Sequence, residues 1–369
     1  MFDFSLQQIC MLAVGAALMY LAIMKDYEPN LLLPMGFGTI LANMPLSSAV
    51  DQMLEGTMVE GALSTLFNAG IANELFPLLI FIAIGAMCDF TPLIANPKMF
   101  IFGFTAQAGI FITMGIAILM GFDVKEAASI GIIGAADGPT AIYVANRFAE
   151  HLLAPISVAA YTYMAMVPII QPPVVKLLTT KNERMIKMNY VEKVVSRRTL
   201  ILFPIAVTVI AGLIAPAALA LIGFLMFGNL LRVSGVTERL SQAAQNELAN
   251  IVTILLGLAI SRKMVGSEFA NPTTLLIVVM GLFAFAFDTA GGVISAKILN
   301  IFMPEGHKVN PIVGAAGISA FPMASRVAQK LGQQADLSNF LLMHAVGANV
   351  AGQIGSVICG GVLLAWLGG

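Results

Sequence analysis

GIIGAADGPTAIY, residues Gly131 to Tyr143, sets a carboxylate, Asp137, between glycines in a stretch that is otherwise almost wholly apolar. A charge at the centre of a bilayer costs at least ~2.5–3.5 kcal/mol on insertion scales, so it persists only where a partner, a cation or a proton compensates it. Gly131, Gly134 and Gly138 let the backbone break and turn, and Pro139 suits the first turn of a new helix. Asp137 is therefore expected near a helix N-terminus, where the chain opens and carbonyls become free. Carbonyl and carboxylate oxygens are hard ligands, suited to a hard cation. The bland alternative is a capping aspartate on a kinked helix.

The pattern recurs. IIGAADGPTA (Ile132–Ala141) aligns with IVGAAGISAF (Ile312–Phe321), and Gly-Ala-Ala returns at an offset of 314 − 134 = 180. IANP (Ile94–Pro97) likewise matches FANP (Phe269–Pro272), and FIAIGA (Phe81–Ala86) resembles TILLGLA (Thr253–Ala259). The second break, NPIVGAAGISAFPMASR, has no acid; it offers Asn310, the Gly314 and Gly317 backbone, Ser319, Ser325 and Arg326. Amide and hydroxyl oxygens complete a Na+ shell without a second negative charge, although Asn310 and Ser319 also suit helix caps. Arg326 either attracts an anionic group from the cytoplasmic side or is a solvated surface arginine.

Of the 369 residues, 59% are hydrophobic and 11% charged, against about 25% charged in soluble domains. With a mean hydropathy of +0.90, the chain is solvated mainly by lipid. Backbone groups in hydrocarbon need internal partners, so repeated apolar runs read as helices of a polytopic membrane protein. Continuous runs such as Phe76–Ala86 and Leu200–Ile214 argue against a transmembrane barrel. A net charge of −1 gives no reason to expect nucleic acid. Cys10, Cys88 and Cys359 stand apart and suggest neither a disulfide framework nor a zinc site. The sequence has no P-loop, HExxH or GxSxG, so any pumping draws on another chain's chemistry or on an ion gradient.

The expected architecture is all-α, with two inverted-topology repeats. Residues 1–178 form one repeat with a broken re-entrant hairpin at 127–149, residues 179–198 a basic cytoplasmic loop, and residues 199–369 the other repeat with a hairpin at 309–328. Each half supplies five crossings, beginning at Leu6–Met24, Asn30–Met44 and Phe76–Ala95 and ending at Phe340–Leu367. Five is odd, so the second half inserts upside down. Asp51–Glu74 reads as an interfacial segment and Thr237–Asn250 as a surface helix feeding the next span. With the loop between the halves inside, only Lys125, Arg147, Arg262 and Lys263 fall outside, in accord with the positive-inside rule. Inverted repeats with interrupted helices at midplane are a common build of ion-coupled transporters. Within the spans, Tyr163 has a hydroxyl able to reach a midplane site, Asp288 suits either interfacial capping or ion contact, and His344, Asn349 and Gln353 suit helix-to-helix hydrogen bonds.

GAADGPTAIY, NPIVGAAGISAFPMASRVAQ, GNLLRVSGVTERLS and the opening YLAIMKDYEPNLLLPMGFGTILANMP together resemble the β subunit of the biotin-dependent sodium-pumping decarboxylases, over nearly the whole chain. That family includes oxaloacetate, methylmalonyl-CoA, glutaconyl-CoA and malonate decarboxylase complexes. The resemblance implies an enzyme that decarboxylates N-carboxybiotin at the cytoplasmic face and exports Na+ with consumption of a proton. Its cofactors would be Na+ and biotin, the biotin carried on a partner subunit. It further implies a carboxyltransferase subunit, a small membrane subunit, further copies of this chain in a homo-oligomer, and a multi-pass place in the bacterial inner membrane. By motif, Asp137, Asn310, Gly314 and Ser319 take the family's Na+ positions; Asp137, Tyr163, Ser319 and Arg326 its catalytic ones; and Arg326 that of carboxybiotin contact. The compact amino-terminal portion leans toward an acyl-CoA complex, although the carboxyltransferase partner selects the substrate. The competing expectation is a secondary Na+/carboxylate symporter, which shares inverted repeats and broken hairpins. A plain membrane anchor for a soluble enzyme leaves the paired breaks without a role.

Overall fold

The computed structural model describes residues 4–54, 56–188, 194–269, 271–304 and 306–368. Lys193 of the expected basic loop lies outside the described residues. Among the described residues seven helices are long and apolar enough to cross a membrane. They are α1 (Leu6–Lys25), α5 (Pro97–Leu119), α10 (Arg197–Ile214), α11 (Pro216–Val233), α12 (Glu238–Ser261), α13 (Pro272–Ile301) and α16 (Leu342–Leu367). Two bent pairs add candidate crossings: α3 (Ala62–Gly70) with α4 (Leu75–Met87) at 62°, and α8 (Glu150–Ala165) with α9 (Val167–Leu178) at 71°. The remaining expected crossing is α2 (Pro29–Asn43), whose 15 residues rise only about 22 Å at 1.5 Å each. The chain is thus an all-α polytopic membrane protein, as its hydropathy implies.

Local chemistry sets the ends. Ser5 and Gln8 close a capping box on α1. Asn271 accepts the Thr274 N–H at the start of α13, with Pro272 in the first turn. Polar residues 238–250 do not form a separate surface helix; they continue through a π-turn into the body of α12. The expected interfacial segment after α2 includes a short antiparallel hairpin, β1 (Gln52–Leu54) and β2 (Thr57–Val59), before α3. Asp51 holds its base, accepting from the Gly61 N–H at 3.0 Å and from Arg262 at 3.1 Å.

The packing is reciprocal between the two halves of the chain. Helix α1 packs on α2 as α10 does on α11; α2 packs on α12 and α4 on α11; α8 packs on α13 and α16 on α5. Helix α16 is central, 67% of its apolar window being buried, whereas α10 is peripheral with 11%. Such apolar exposure is what lipid contact requires.

Ion pairs mark two ends of the molecule. Asp51–Arg262 (3.1 Å), Glu150–Lys263 (2.9 Å) and Glu74–Arg147 gather at one, beside a Glu126–His151 hydrogen bond (2.9 Å). Lys187–Asp336 (3.1 Å) and Lys297–Glu183 (3.2 Å) lie at the other.

Candidate functional site

Two interrupted segments enter the bundle from opposite ends. In the first, α6 (Val124–Gly131) passes through a 3-10 turn at Ile132–Ala135, then Ala136 takes a left-handed conformation with φ 54°. Few non-glycine residues adopt it, and here it turns the chain so that Asp137 becomes the N-cap of α7 (Gly138–Phe148). In the second, α14 (Pro311–Ala315) ends, an irregular stretch follows, and α15 (Met323–Ala335) begins. The Ser319 N–H donates to the Ala135 carbonyl across 3.0 Å. Each of those backbone groups, lacking a helical partner, finds one in the other break.

Asp137 is buried and held by short hydrogen bonds. The hydroxyls of Thr140 and Ser356 both donate to Oδ2 at 2.7 Å, and the Thr140 N–H donates to Oδ1 at 3.3 Å. Oδ1 thus keeps one long bond, and Asp137 lines a cavity of ≈ 360 Å³ together with Ser319, Tyr161 and Gln353. The Tyr161 hydroxyl and Gln353 Oε1 have no hydrogen-bond partner among the described residues. Gly138 is obligatory here, because a Cβ at that position would overlap the Tyr161 ring. The cavity therefore presents a carboxylate and neutral oxygens, a donor set suited to a hard cation.

The expected site residues divide. Asp137 and Ser319 share the cavity; the Ser319 hydroxyl donates to the Gly352 carbonyl at 2.8 Å, and Gln353 donates to the Ser319 carbonyl. Asn310 and Gly314 do not line it. Asn310 caps α14 and donates to the Arg184 and Ile186 carbonyls, both at 2.8 Å, fastening the basic loop to the second break. Gly314 meets Gly292 of α13 backbone to backbone, where a Cβ on either would collide with the other's carbonyl. Tyr163 turns away from Asp137 and donates to the Val278 carbonyl of α13. Arg326 is exposed on α15, with no ion pair among the described residues.

Thr140, Ser356 and Tyr161 were not singled out by sequence reasoning. The first had a signal, since Asp-x-x-Thr at a helix start has capping-box spacing. Tyr161 sits two residues before Tyr163, which on a helix of ~3.6 residues per turn is nearly the opposite face. Asp288 is wholly buried in α13, with Oδ1 accepting the Ile110 N–H at 3.0 Å inside α5. It lies among helices rather than at an interface, and its Oδ2 has no partner among the described residues.

Comparison with known proteins covers nearly the whole chain. Residues 7–367 match the family described as the Na+-transporting oxaloacetate decarboxylase beta subunit. The chain is 50% identical over 359 residues to the glutaconyl-CoA decarboxylase subunit beta of Acidaminococcus fermentans, covering 97% of this chain and 93% of that one. It is 49% identical over 357 residues to the methylmalonyl-CoA decarboxylase subunit beta of Veillonella parvula, covering 97% and 92%. It is 44% identical over 414 residues to the oxaloacetate decarboxylase beta chain of Klebsiella pneumoniae, covering 98% and 95%.

Proposed function

The chain belongs to the family of Na+-transporting oxaloacetate decarboxylase β subunits, and on that footing we propose how it works. It is the membrane subunit of a Na+-translocating decarboxylase. The proposed reaction is loss of CO2 from N-carboxybiotin, delivered by a biotin carrier at the cytoplasmic face, with a proton consumed and Na+ exported. The family match favours this over a secondary symporter. The other proposed partners are a carboxyltransferase subunit, a small membrane subunit and further copies of this chain. The proposed place is the bacterial cytoplasmic membrane. The higher identity to the acyl-CoA relatives supports an acyl-CoA substrate for the complex.

The two halves, 1–178 and 199–369, are proposed to be inverted repeats. The exchanged pairings α2–α12 with α11–α4, and α8–α13 with α5–α16, support this. So does the split of ion pairs, which puts Lys263, Arg262 and Arg147 at the end opposite Lys187 and Lys297. Under the positive-inside rule the Lys187 end is cytoplasmic.

Asp137 is the proposed Na+ carboxylate, with oxygens of the second break around Ser319 completing the shell. The observation that carries this is the shared cavity, with the breaks joined through Ser319 and Ala135. Asn310 and Gly314 then act by fixing the second break, Tyr163 by bracing α8 on α13, and Arg326 by meeting the anionic carboxybiotin outside the bilayer. Biotin is the group carrier, and this chain supplies the site and the coupling. A second Na+ adds positive charge in low dielectric, which lowers the proton affinity of nearby groups. The proton released meets carboxybiotin; once its carboxylate leaves as neutral CO2, the cations lose that attraction and outward release is favoured. Proton uptake that ignored Na+ concentration would reject this coupling.

The test of function uses the purified chain and free synthetic carboxybiotin. Na+-dependent CO2 release is expected. Unaided Na+/dicarboxylate uptake into liposomes, with no response to carboxybiotin, would identify a symporter instead.

A further inference from the structure

We infer that Glu28 is the entry carboxylate for Na+, capturing the ion from the cytoplasm and passing it to Asp137 along one cavity. The inference rests on the function proposed above. The cavity of ≈ 360 Å³ around Asp137 extends to the α1–α2 turn, where Glu28 lines it. Among the described residues, Glu28 and Asp137 are its only charged lining residues, and both are acids; none of the described lysines or arginines faces it. A cleft lined by one sign of charge with low-dielectric walls concentrates counter-ions. Neutral oxygens share the cavity wall with the two acids, including those of Tyr161 and Gln353, whose hydroxyl and Oε1 are buried and without a hydrogen-bond partner among the described residues. Such unpaired groups are costly to bury unless something visits them.

The backbone at Glu28 explains why its side chain is free for this work. An acid at a helix N-cap ordinarily accepts the N–H groups of the first turn. Glu28 instead takes a left-handed conformation, φ 34° and ψ 58°, and makes no side-chain cap bond. Its carbonyl accepts the Leu31 and Leu32 N–H groups at 3.1 and 3.0 Å. The half-buried side chain forms no hydrogen bond or ion pair among the described residues and is left on the cavity wall. The turn lies beside the start of α12, whose Gln245 and Asn250 face the same cavity, and the end of α4 at Met87. Under the proposed topology all three are cytoplasmic ends of spans, so Glu28 meets the ion first and Asp137 holds it deeper.

The test measures Na+ dependence of CO2 release in the reconstituted complex. Glu28→Gln removes the charge; Glu28→Asn removes it with a residue that accepts left-handed backbone; Glu28→Asp keeps it. Both neutral variants are expected to raise the Na+ concentration for half-maximal turnover by about 5- to 20-fold, and the Asp variant by less than about 3-fold. The loss should be recovered at saturating Na+. Unchanged half-saturation in both neutral variants, with the wild type Na+-dependent, overturns the entry role alone. A turnover defect that saturating Na+ does not restore also overturns it. A wild-type complex indifferent to Na+ would sink the proposed function and this inference together.

Discussion

Ser319 donates its backbone N–H to the Ala135 carbonyl across 3.0 Å, joining the two interrupted segments directly. Asp137 lies two residues beyond that carbonyl. Breaking this bond would leave two backbone groups unsatisfied in the buried interior, so the two breaks are tied at this point.

The carboxylate of Asp137 depends on two hydroxyl donors, Thr140 and Ser356, each at 2.7 Å. A hydrogen bond to a charged group contributes about 1.5–3 kcal/mol, so Ser356→Ala should raise the Na+ concentration for half-maximal turnover roughly 10-fold. Ser356→Thr, which keeps the hydroxyl, should restore most of it. A titration of CO2 release against Na+ checks both; wild-type half-saturation in Ser356→Ala would mean the hydroxyl is idle.

Asn310 is the fastener of the basic loop rather than part of the cavity. Removing its amide leaves the Arg184 and Ile186 carbonyls with one side-chain donor each among the described residues, the longer bonds from Asn339 at 3.1 and 3.2 Å. Asn310→Ala should therefore speed tryptic cleavage at Lys181, Arg184 or Lys187, and Asn310→Asp, whose acid repels carbonyls, should do so more. Cleavage rates equal to wild type would show that the loop is held elsewhere.

Asp51 sets a pH dependence at the opposite end. The Ser64 hydroxyl, with the Gly61 N–H and Arg262, holds its carboxyl below the ordinary value of 3.8. A folded-state value depressed in this way gives stability that is present above 3.8 and lost as pH falls through the lowered value. Thermal melts should fall on acidification below about pH 4, and Asp51→Asn should flatten that part of the profile. Equal acid sensitivity in wild type and variant would assign the effect to other groups.

Much of this was legible from residues. The paired Gly-Ala-Ala breaks announced themselves because glycine and proline interrupt apolar periodicity, and Asp137 because a midplane charge needs a reason. What a helix faces was not legible. Tyr161 and Tyr163 are equally apolar-flanked in sequence, and only packing shows that the first lines the Asp137 cavity while the second bonds the Val278 carbonyl. Ser356 hid for the same reason, as one small polar residue in a glycine-rich helix whose partner lies 219 positions away. Asn310 suited a cap and an ion ligand alike until its amide was found on the loop carbonyls. Residues 238–250 were misleading because their polarity fits a surface helix, yet the helix runs on into α12.

The most direct test is parallel measurement of 22Na+ transport and CO2 release in proteoliposomes carrying the complex, wild type against Asp137→Asn. Asparagine keeps the shape and removes the charge; loss of a buried charge partner costs about 3–5 kcal/mol, so both activities should fall at least ~100-fold together. Full Na+-dependent decarboxylation or undiminished transport in Asp137→Asn would contradict a cation held between the two breaks by that carboxylate.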